Sequence, residues 1–317
     1  MSFNIIGTGS ACPKTIVTND DLAKFMDTSD EWITTRTGIK ERRVCKDENI
    51  NDLAVISAKE ALSNANINSK DIDLIICATM GGDFTTPSTA CCIQSEIGAT
   101  CPAFDINAAC SGFIYALDIA NNYFSNENIK NILVVVAENI SKYLDWNDRS
   151  TCVLFGDATA AVVLGRGCGL KSIKLTANGN SEDLRIENNK AKTPWYDKTD
   201  TNCYLHMNGQ EVFKFAVTSM VSGIKEVLSE ANLKEEEVNV VLPHQANTRI
   251  IDNAKNKLNI PHENYYMNIE RFGNTSAVGI PLLLDEPNKN NKLKKGDIIA
   301  MSAFGGGLTS GACIIEW

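Results

Sequence analysis

The strongest constraint on this chain is a repeat within it. Residues 60–76 read EALSNANINSKDIDLII and residues 226–242 read EVLSEANLKEEEVNVVL, with five of seventeen positions identical at an offset of 166. Each copy ends an amphipathic helix, turns through polar residues and enters a run of β-branched residues. The same offset lays Ile132-Leu-Val-Val-Val-Ala on Ile298-Ile-Ala-Met-Ser-Ala. Any α/β protein alternates helix, turn and strand, but two separate segments sharing one spacing point to a duplication. The 317 residues are therefore expected as two similar α/β units, 1–169 and 170–317, joined where Gly167 and Gly169 punctuate the chain. Wholly apolar strands such as Leu74-Ile-Ile-Cys and Val240-Val-Leu imply mostly parallel sheets with helices packed on them. In such sheets functional groups collect just beyond the C-terminal strand ends.

Three side chains fall at such ends. Cys110 follows the strand-like run Pro102-Ala-Phe-Asp-Ile-Asn and precedes a good helix, Ser111-Gly-Phe-Ile-Tyr-Ala-Leu-Asp. A sulfur at a helix N-terminus feels the positive end of the dipole, which favours thiolate, and Ala108, Ala109 and Gly112 leave room for a carbonyl. His244 closes the strand Val240-Val-Leu-Pro, whereas His206 and His262 lie in polar, loop-like sequence. A neutral imidazole there can be a hydrogen-bonded core residue or the stabiliser of a developing oxyanion. Asn274 sits in Phe272-Gly-Asn-Thr-Ser-Ala, and the repeat offset carries it to position 108, beside Cys110 in the other unit. A pseudo-twofold brings such loops together. The glycines of Phe304-Gly-Gly-Gly-Leu-Thr allow close backbone approach to a ligand and can present N–H donors.

Composition narrows the classes. A formal charge of −9 disfavours general nucleic-acid binding. Eleven cysteines, an odd number with no Cys-x-x-Cys pair, suit neither a disulfide framework nor a zinc site, so no metal is expected. A thiol among Ala, Val and Ile is ordinarily a buried small hydrophobe, and Cys110 has to stand out from that background. No apolar run reaches the roughly 20 residues of a membrane span, and the N-terminus lacks the pattern of a signal peptide. A cytoplasmic location without membrane contact is the expectation.

Taken together the motifs resemble the thiolase-like condensing enzymes, and within them the β-ketoacyl-[acyl-carrier-protein] synthase III family. The resemblance rests on Asp27-Thr-Ser-Asp-Glu-Trp-Ile-Thr-Thr-Arg-Thr-Gly-Ile-Lys-Glu-Arg-Arg, Asn107-Ala-Ala-Cys-Ser-Gly-Phe, Phe155-Gly-Asp-Ala, Gly209-Gln-Glu-Val-Phe-Lys-Phe-Ala-Val, Pro243-His-Gln-Ala-Asn, Gly273-Asn-Thr-Ser-Ala and Phe304-Gly-Gly-Gly-Leu-Thr, in that order. It implies two βαβαβαββ halves related by a pseudo-twofold and layered α-β-α-β-α. Cys110 would take an acyl group from acyl-CoA, and His244 and Asn274 would hold the thioester carbonyl of malonyl-acyl carrier protein while it loses carbon dioxide. The backbone of Cys110 and Gly306 would bind oxyanions, and Phe304 would shield the site. Asn in the third place separates the chain from the elongating synthases, which carry Cys–His–His. A thiol protease also uses Cys–His–Asn, but has no need of the duplication or of the CoA-end motif.

The resemblance further implies that Trp32 stacks on adenine, that Arg36 and Arg149 bind the nucleotide end, and that Asn208, Gly209, Ala246 and Asn247 line the pantetheine channel. Lys214, Arg249, Lys255 and Lys257 match a docking patch for the acidic carrier protein, those at 249–257 being expected on one helix. The resemblance also implies acyl-CoA as a substrate, no permanently bound cofactor and a homodimeric assembly. Thr86 stands where some acetyl-preferring members have Phe, in a region that in the family reaches the partner subunit's acyl pocket; the smaller residue implies a roomier pocket and branched or longer starters. Pro287 is expected to disturb only a surface turn. A related synthase of specialised metabolism is the alternative, and a non-catalytic acyl-binding subunit would be expected to lack one of the three site residues.

Overall fold

A computed structural model of the protein describes residues 2–188, 194–195 and 203–317. Two sheets carry the same strand order. In the first, Ser2–Ala11, Ala158–Gly167, Asn131–Glu138, Leu74–Ala78 and Ala103–Ile106 lie side by side in that sequence. In the second the order is Leu170–Asn180, Gly307–Glu316, Ile298–Gly305 and Val240–Pro243. Across each, two antiparallel contacts are followed by a parallel one. The first sheet's fifth strand pairs in parallel with Leu74–Ala78. Its counterpart in the second sheet is a single parallel bridge between Val241 and Tyr265. The order βαβαβαββ is thus written twice.

The expectation of mostly parallel sheets is corrected to mixed ones. In the second sheet Ile298–Gly305 turns straight into Gly307–Glu316, and a connection that short can join only antiparallel neighbours. The strands are apolar because helices cover both faces. Ile50–Ala65 and Thr89–Ile97 pack outside the first sheet. Gly209–Glu230 and Thr248–Lys255 pack outside the second. Between the sheets lie Gly112–Tyr123 and Gly279–Lys289. The layers are α-β-α-β-α. Residues such as Val134, Val136, Met301 and Ala303 are 0–1% exposed, and each large apolar side chain so buried stabilises the fold by about 1.5–3 kcal/mol.

The register refines the repeat. Leu74 lies opposite Ile132, whereas Val240 lies opposite Ile299. The strand Asn131–Glu138 therefore matches Ile298–Gly305 at an offset of 167, which corrects the expected match of Ile132 from Ile298 to Ile299, and the helix starts Gly112 and Gly279 share that offset. Pro287 lies within the helix Gly279–Lys289 and is buried, which corrects the expected surface turn. It stands two residues before the helix ends, where its missing N–H takes away the intrahelical donor to the Leu283 carbonyl but leaves only two helical residues beyond the break.

Candidate active site

Both units turn from the end of their third parallel position into the central helix by the same device. Asn107 Oδ1 accepts the Ala109 N–H at 3.1 Å, and Ala109 takes the left-handed conformation at φ 46°. The short turn Ala109–Ser111 then opens into Gly112–Tyr123. Asn274 Oδ1 accepts the Ser276 N–H at 2.9 Å, Ser276 has φ 54°, and the turn Ser276–Val278 opens into Gly279–Lys289. The counterpart of Asn274 is therefore Asn107, three residues before Cys110, a correction of one residue to the simple offset. The turns meet back to back: a Cβ on Gly112 would lie 3.5 Å from that of Ala277.

Cys110, His244 and Asn274 line one cavity of about 1370 Å³, together with Phe304, Gly305 and Gly306. Asn274 is 6% exposed and His244 2% exposed. With Oδ1 engaged by Ser276, Asn274 has its amide Nδ2 left to donate into the cavity. The His244 backbone N–H donates to Ser302 O at 2.8 Å, fixing the strand end. Its ring meets Phe304 edge-on, with centroids 5.0 Å apart at 72°. Nδ1 is buried without a hydrogen-bond partner among the described residues, so Nε2 is the nitrogen available to the cavity. Burial pulls the imidazole down to about 3, and it is neutral near pH 7.

Burial pushes the Cys110 thiol up to about 12, against the expectation that the helix dipole holds a thiolate. Desolvation of a charged sulfur outweighs a dipole whose first turn is the tight Ala109–Ser111 segment. Gly305 presses on this sulfur's residue: a Cβ there would fall 2.6 Å from the Cys110 nitrogen and 3.1 Å from its Cβ. Ser276 Oγ approaches Cys110 Sγ at 3.4 Å and Glu138 Oε1 at 3.4 Å. Glu138 ends the strand Asn131–Glu138 directly after its apolar run 132–137 and is 1% exposed. Burial pushes its carboxyl up to about 8.

Toward the mouth, the Trp32 ring is flanked by Arg36 and Arg149, whose guanidinium carbons lie 4.6 and 5.0 Å from its centroid. Arg149 is held by the Asp27 carbonyl oxygen and carboxylate. All three line the cavity, as do Gly209, Ala246, Asn247 and Arg249. Asn208 does not: its amide donates to Asp183 Oδ1 at 2.9 Å, since it begins the helix Gly209–Glu230 beside that carboxylate. The basic residues do not form one helical stripe. Thr248–Lys255 ends before Lys257, and Lys214 pairs with Glu211 at 2.7 Å. Lys255, with 13% of its side chain exposed, lies over the Tyr265 ring at 5.2 Å and 3.9 Å from Asp252. Thr85 lines this chain's own cavity.

The sequence reading missed the segment Leu184–Asn188, which lines the cavity, Ser276, which lies against its sulfur, and Glu138, which lies against Ser276. A carboxylate closing the run Ile-Leu-Val-Val-Val-Ala was a legible signal for Glu138. Nothing in the composition of 184–188 marks it.

The family profile for 3-oxoacyl-[acyl-carrier-protein] synthase III matches residues 104–179, and that for its C-terminal part matches 228–317. The β-ketoacyl-[acyl-carrier-protein] synthase III of Aquifex aeolicus VF5 is 49% identical over the full length of both chains. That of Clostridium acetobutylicum is 46% identical over 100% of this chain and 99% of its own. This chain belongs to the β-ketoacyl-[acyl-carrier-protein] synthase III family. Its fold is the family's: the Aquifex crystal structure superposes with a TM-score of 0.93, covering 99% of this chain and 100% of that one. The priming β-ketosynthase of the R1128 polyketide pathway, 31% identical, superposes at 0.91 over 99% of this chain and 96% of its own. As a synthase III the chain is a condensing acyltransferase. Among the described residues no helix is long and apolar enough to cross a membrane, and no group of three or more His, Cys, Asp and Glu is placed to hold a metal.

Proposed function

We propose that this synthase III joins an acyl-CoA to malonyl-acyl carrier protein, releasing CoA and carbon dioxide and starting fatty-acid chains. The reading rests on the convergence of Cys110, His244 and Asn274 on a single cavity. Cys110 is the nucleophile. Its sulfur attacks the acyl thioester carbonyl, CoA leaves, and the acyl group stays on sulfur. The glycine run supports binding of the tetrahedral oxyanion by the backbone of Cys110 and Gly306, because Gly305 lets the two segments touch.

In the second stage the thioester carbonyl of the malonyl group accepts from His244 Nε2 and Asn274 Nδ2. Loss of carbon dioxide builds negative charge on that oxygen, and two fixed donors in a dry pocket stabilise it without a proton acceptor. A neutral histidine fits this role, and the edge of Phe304 keeps water from the enolate. The enolate carbon then attacks the acyl-Cys110 carbonyl. Trp32 with its arginines suits an adenine and phosphates, and Arg249 at the mouth suits an acidic carrier protein. We also propose a homodimer in the cytoplasm built of units 1–169 and 170–317, with no permanent cofactor.

The test is intact mass spectrometry of the protein mixed with a panel of acyl-CoAs. An acyl adduct that vanishes in Cys110→Ala and is discharged by malonyl-acyl carrier protein supports the reading. An adduct that persists in Cys110→Ala, or none with any short acyl-CoA, refutes it. His244→Ala should still acylate but fail to decarboxylate.

A further inference from the structure

Each central strand ends against the other unit's turn. Gly305, at the end of Ile298–Gly305, meets Cys110 of the first unit. Glu138, at the end of Asn131–Glu138, meets Ser276 of the second. The two strand ends are equivalent positions, as are Ala109 and Ser276. One copy has a glycine, which lets the Cys110 turn close against the strand end, while the other has a carboxylate directed at Ser276 beside the sulfur.

The Ser276 hydroxyl has one proton and two partners, Cys110 Sγ and Glu138 Oε1, both at 3.4 Å. Both contacts are satisfied together only if one neighbour donates to the serine oxygen while the serine donates to the other. Glu138 Oε2 is held by the Met80 amide at 3.2 Å, which leaves Oε1 pointed at the serine. Acylation of a protonated thiol needs somewhere to put a proton, and the Ser276 hydroxyl is within reach of the sulfur, whereas burial makes the His244 imidazole a poor base.

We propose that Cys110 is activated by a proton relay in which Ser276 passes the thiol proton to Glu138. This rests on the reading of Cys110 as the acyl-accepting nucleophile. As sulfur attacks the thioester carbon, the S–H bond breaks and its proton goes to Ser276 Oγ. The Ser276 O–H bond breaks in concert, and that proton forms an O–H bond on Glu138 Oε1. The carboxylate's negative charge is thereby moved to sulfur and on to the carbonyl oxygen. When the intermediate collapses, the proton returns through Ser276 to the departing CoA sulfur, giving a neutral thiol and an ionised Glu138. Ser276, touching the reacting sulfur, is the catalytic residue; Glu138 acts through it.

The surroundings suit an acceptor that changes state near neutrality. Facing Glu138 are Lys142 and Asp157, of opposite charge and opposing influence, and the neutral Tyr143, Cys77 and Cys110. Lys142 is committed to the carbonyls of Gly81 and Gly82 at 3.0 and 2.8 Å. Asp157 is committed to Ser141 and to the Cys45 amide. Glu138, raised by burial, titrates between an ordinary carboxylic acid and the thiol it serves.

The experiment is the pH dependence, from 6 to 10, of Cys110 acylation by acetyl-, isobutyryl- and hexanoyl-CoA, read by intact mass, for wild type, Glu138→Gln, Glu138→Asp and Ser276→Ala. Wild type should rise through an inflection near pH 8. Glu138→Gln, which keeps an acceptor for Met80, should lose that inflection and run about 100-fold slower at pH 7.5, approaching wild type as the thiol ionises by itself. Glu138→Asp should restore part of the rate. Ser276→Ala should show the same loss, the double variant being no worse than either single one; if Glu138→Gln does not fold by circular dichroism, Ser276→Ala decides. A profile for either variant parallel to wild type at every pH overturns the relay while leaving Cys110 as nucleophile. Absence of any wild-type adduct overturns both.

Discussion

Asn107 and Asn274 are one residue of one turn, present twice: each Oδ1 accepts the N–H two residues ahead, at 3.1 and 2.9 Å, and sets a left-handed residue there. The first copy aims Cys110 and the second aims its own amide. Replacing either by Ala removes a hydrogen bond worth about 1 kcal/mol, so melting temperatures should fall alike. Only Asn274→Ala should also block malonyl decarboxylation, measured as carbon dioxide released by pre-acylated enzyme. Equal decarboxylation in the two variants would contradict the assigned role.

Gly305→Ala should cut acylation of Cys110 by at least about 100-fold, the scale of a lost oxyanion donor. A methyl 2.6 Å from the Cys110 nitrogen displaces one segment from the other. The rate of adduct formation, with circular dichroism as a check on folding, measures it.

His244 and Glu138 give stability opposite pH trends. A histidine held at about 3 is neutral in the native state, while the unfolded chain takes up its proton below about 6.5. That part of the stability is complete above 6.5 and is lost as pH falls toward 3. Glu138, held at about 8, keeps a proton that the unfolded chain gives up above about 4.3. Its part is complete below that pH and is lost as pH rises to 8. Between about 4.3 and 6.5 the two slopes cancel, so over that range and on to pH 8 urea midpoints should fall steadily in His244→Gln, whereas in Glu138→Gln they should rise up to about 6.5 and level off above it.

Trp32→Ala and Arg149→Ala should raise KM for acyl-CoA by roughly tenfold, the effect of about 1–2 kcal/mol from stacking and cation–π contact. Both should leave KM for an acyl-pantetheine, which lacks the nucleotide, nearly unchanged. Steady-state kinetics with the two substrates separates these outcomes.

At the mouth, Arg249→Ala should raise KM for malonyl-acyl carrier protein several-fold at low salt, with the difference shrinking as salt screens the charge. Lys255→Ala should change it little, because that ammonium is spent on Tyr265 and Asp252. A larger effect at Lys255 than at Arg249 would reverse this reading of the patch.

Much of this was legible in the chain. The repeat gave two copies of one topology because helix-turn-strand spacing is set by the sheets it must cover. Cys110 and His244 stood out because each follows an apolar strand at its C-terminal end, and Asn274 because the repeat offset lays it beside Cys110, although in the structure it follows the short helix Ile269–Phe272 rather than a strand. What escaped depends on through-space meetings that local pattern does not encode. Glu138 touches a serine 138 positions away, and Ser276 touches a thiol 166 positions away. The state of that thiol was misjudged because a helix N-terminus is visible in sequence and the dryness around it is not. Lys255 was counted as a free charge because nothing near it in the chain announces Tyr265.

The interlocking strand ends bear on how the chain comes to life. The turn that carries Cys110 gains its neighbours Ser276 and Gly305 only from the far end of the polypeptide. A nascent chain that has built its first sheet holds the sulfur without the surfaces that make it an acyl acceptor. The surroundings proposed to make Cys110 an acyl acceptor are thus complete only once residue 305 of the 317 has been made.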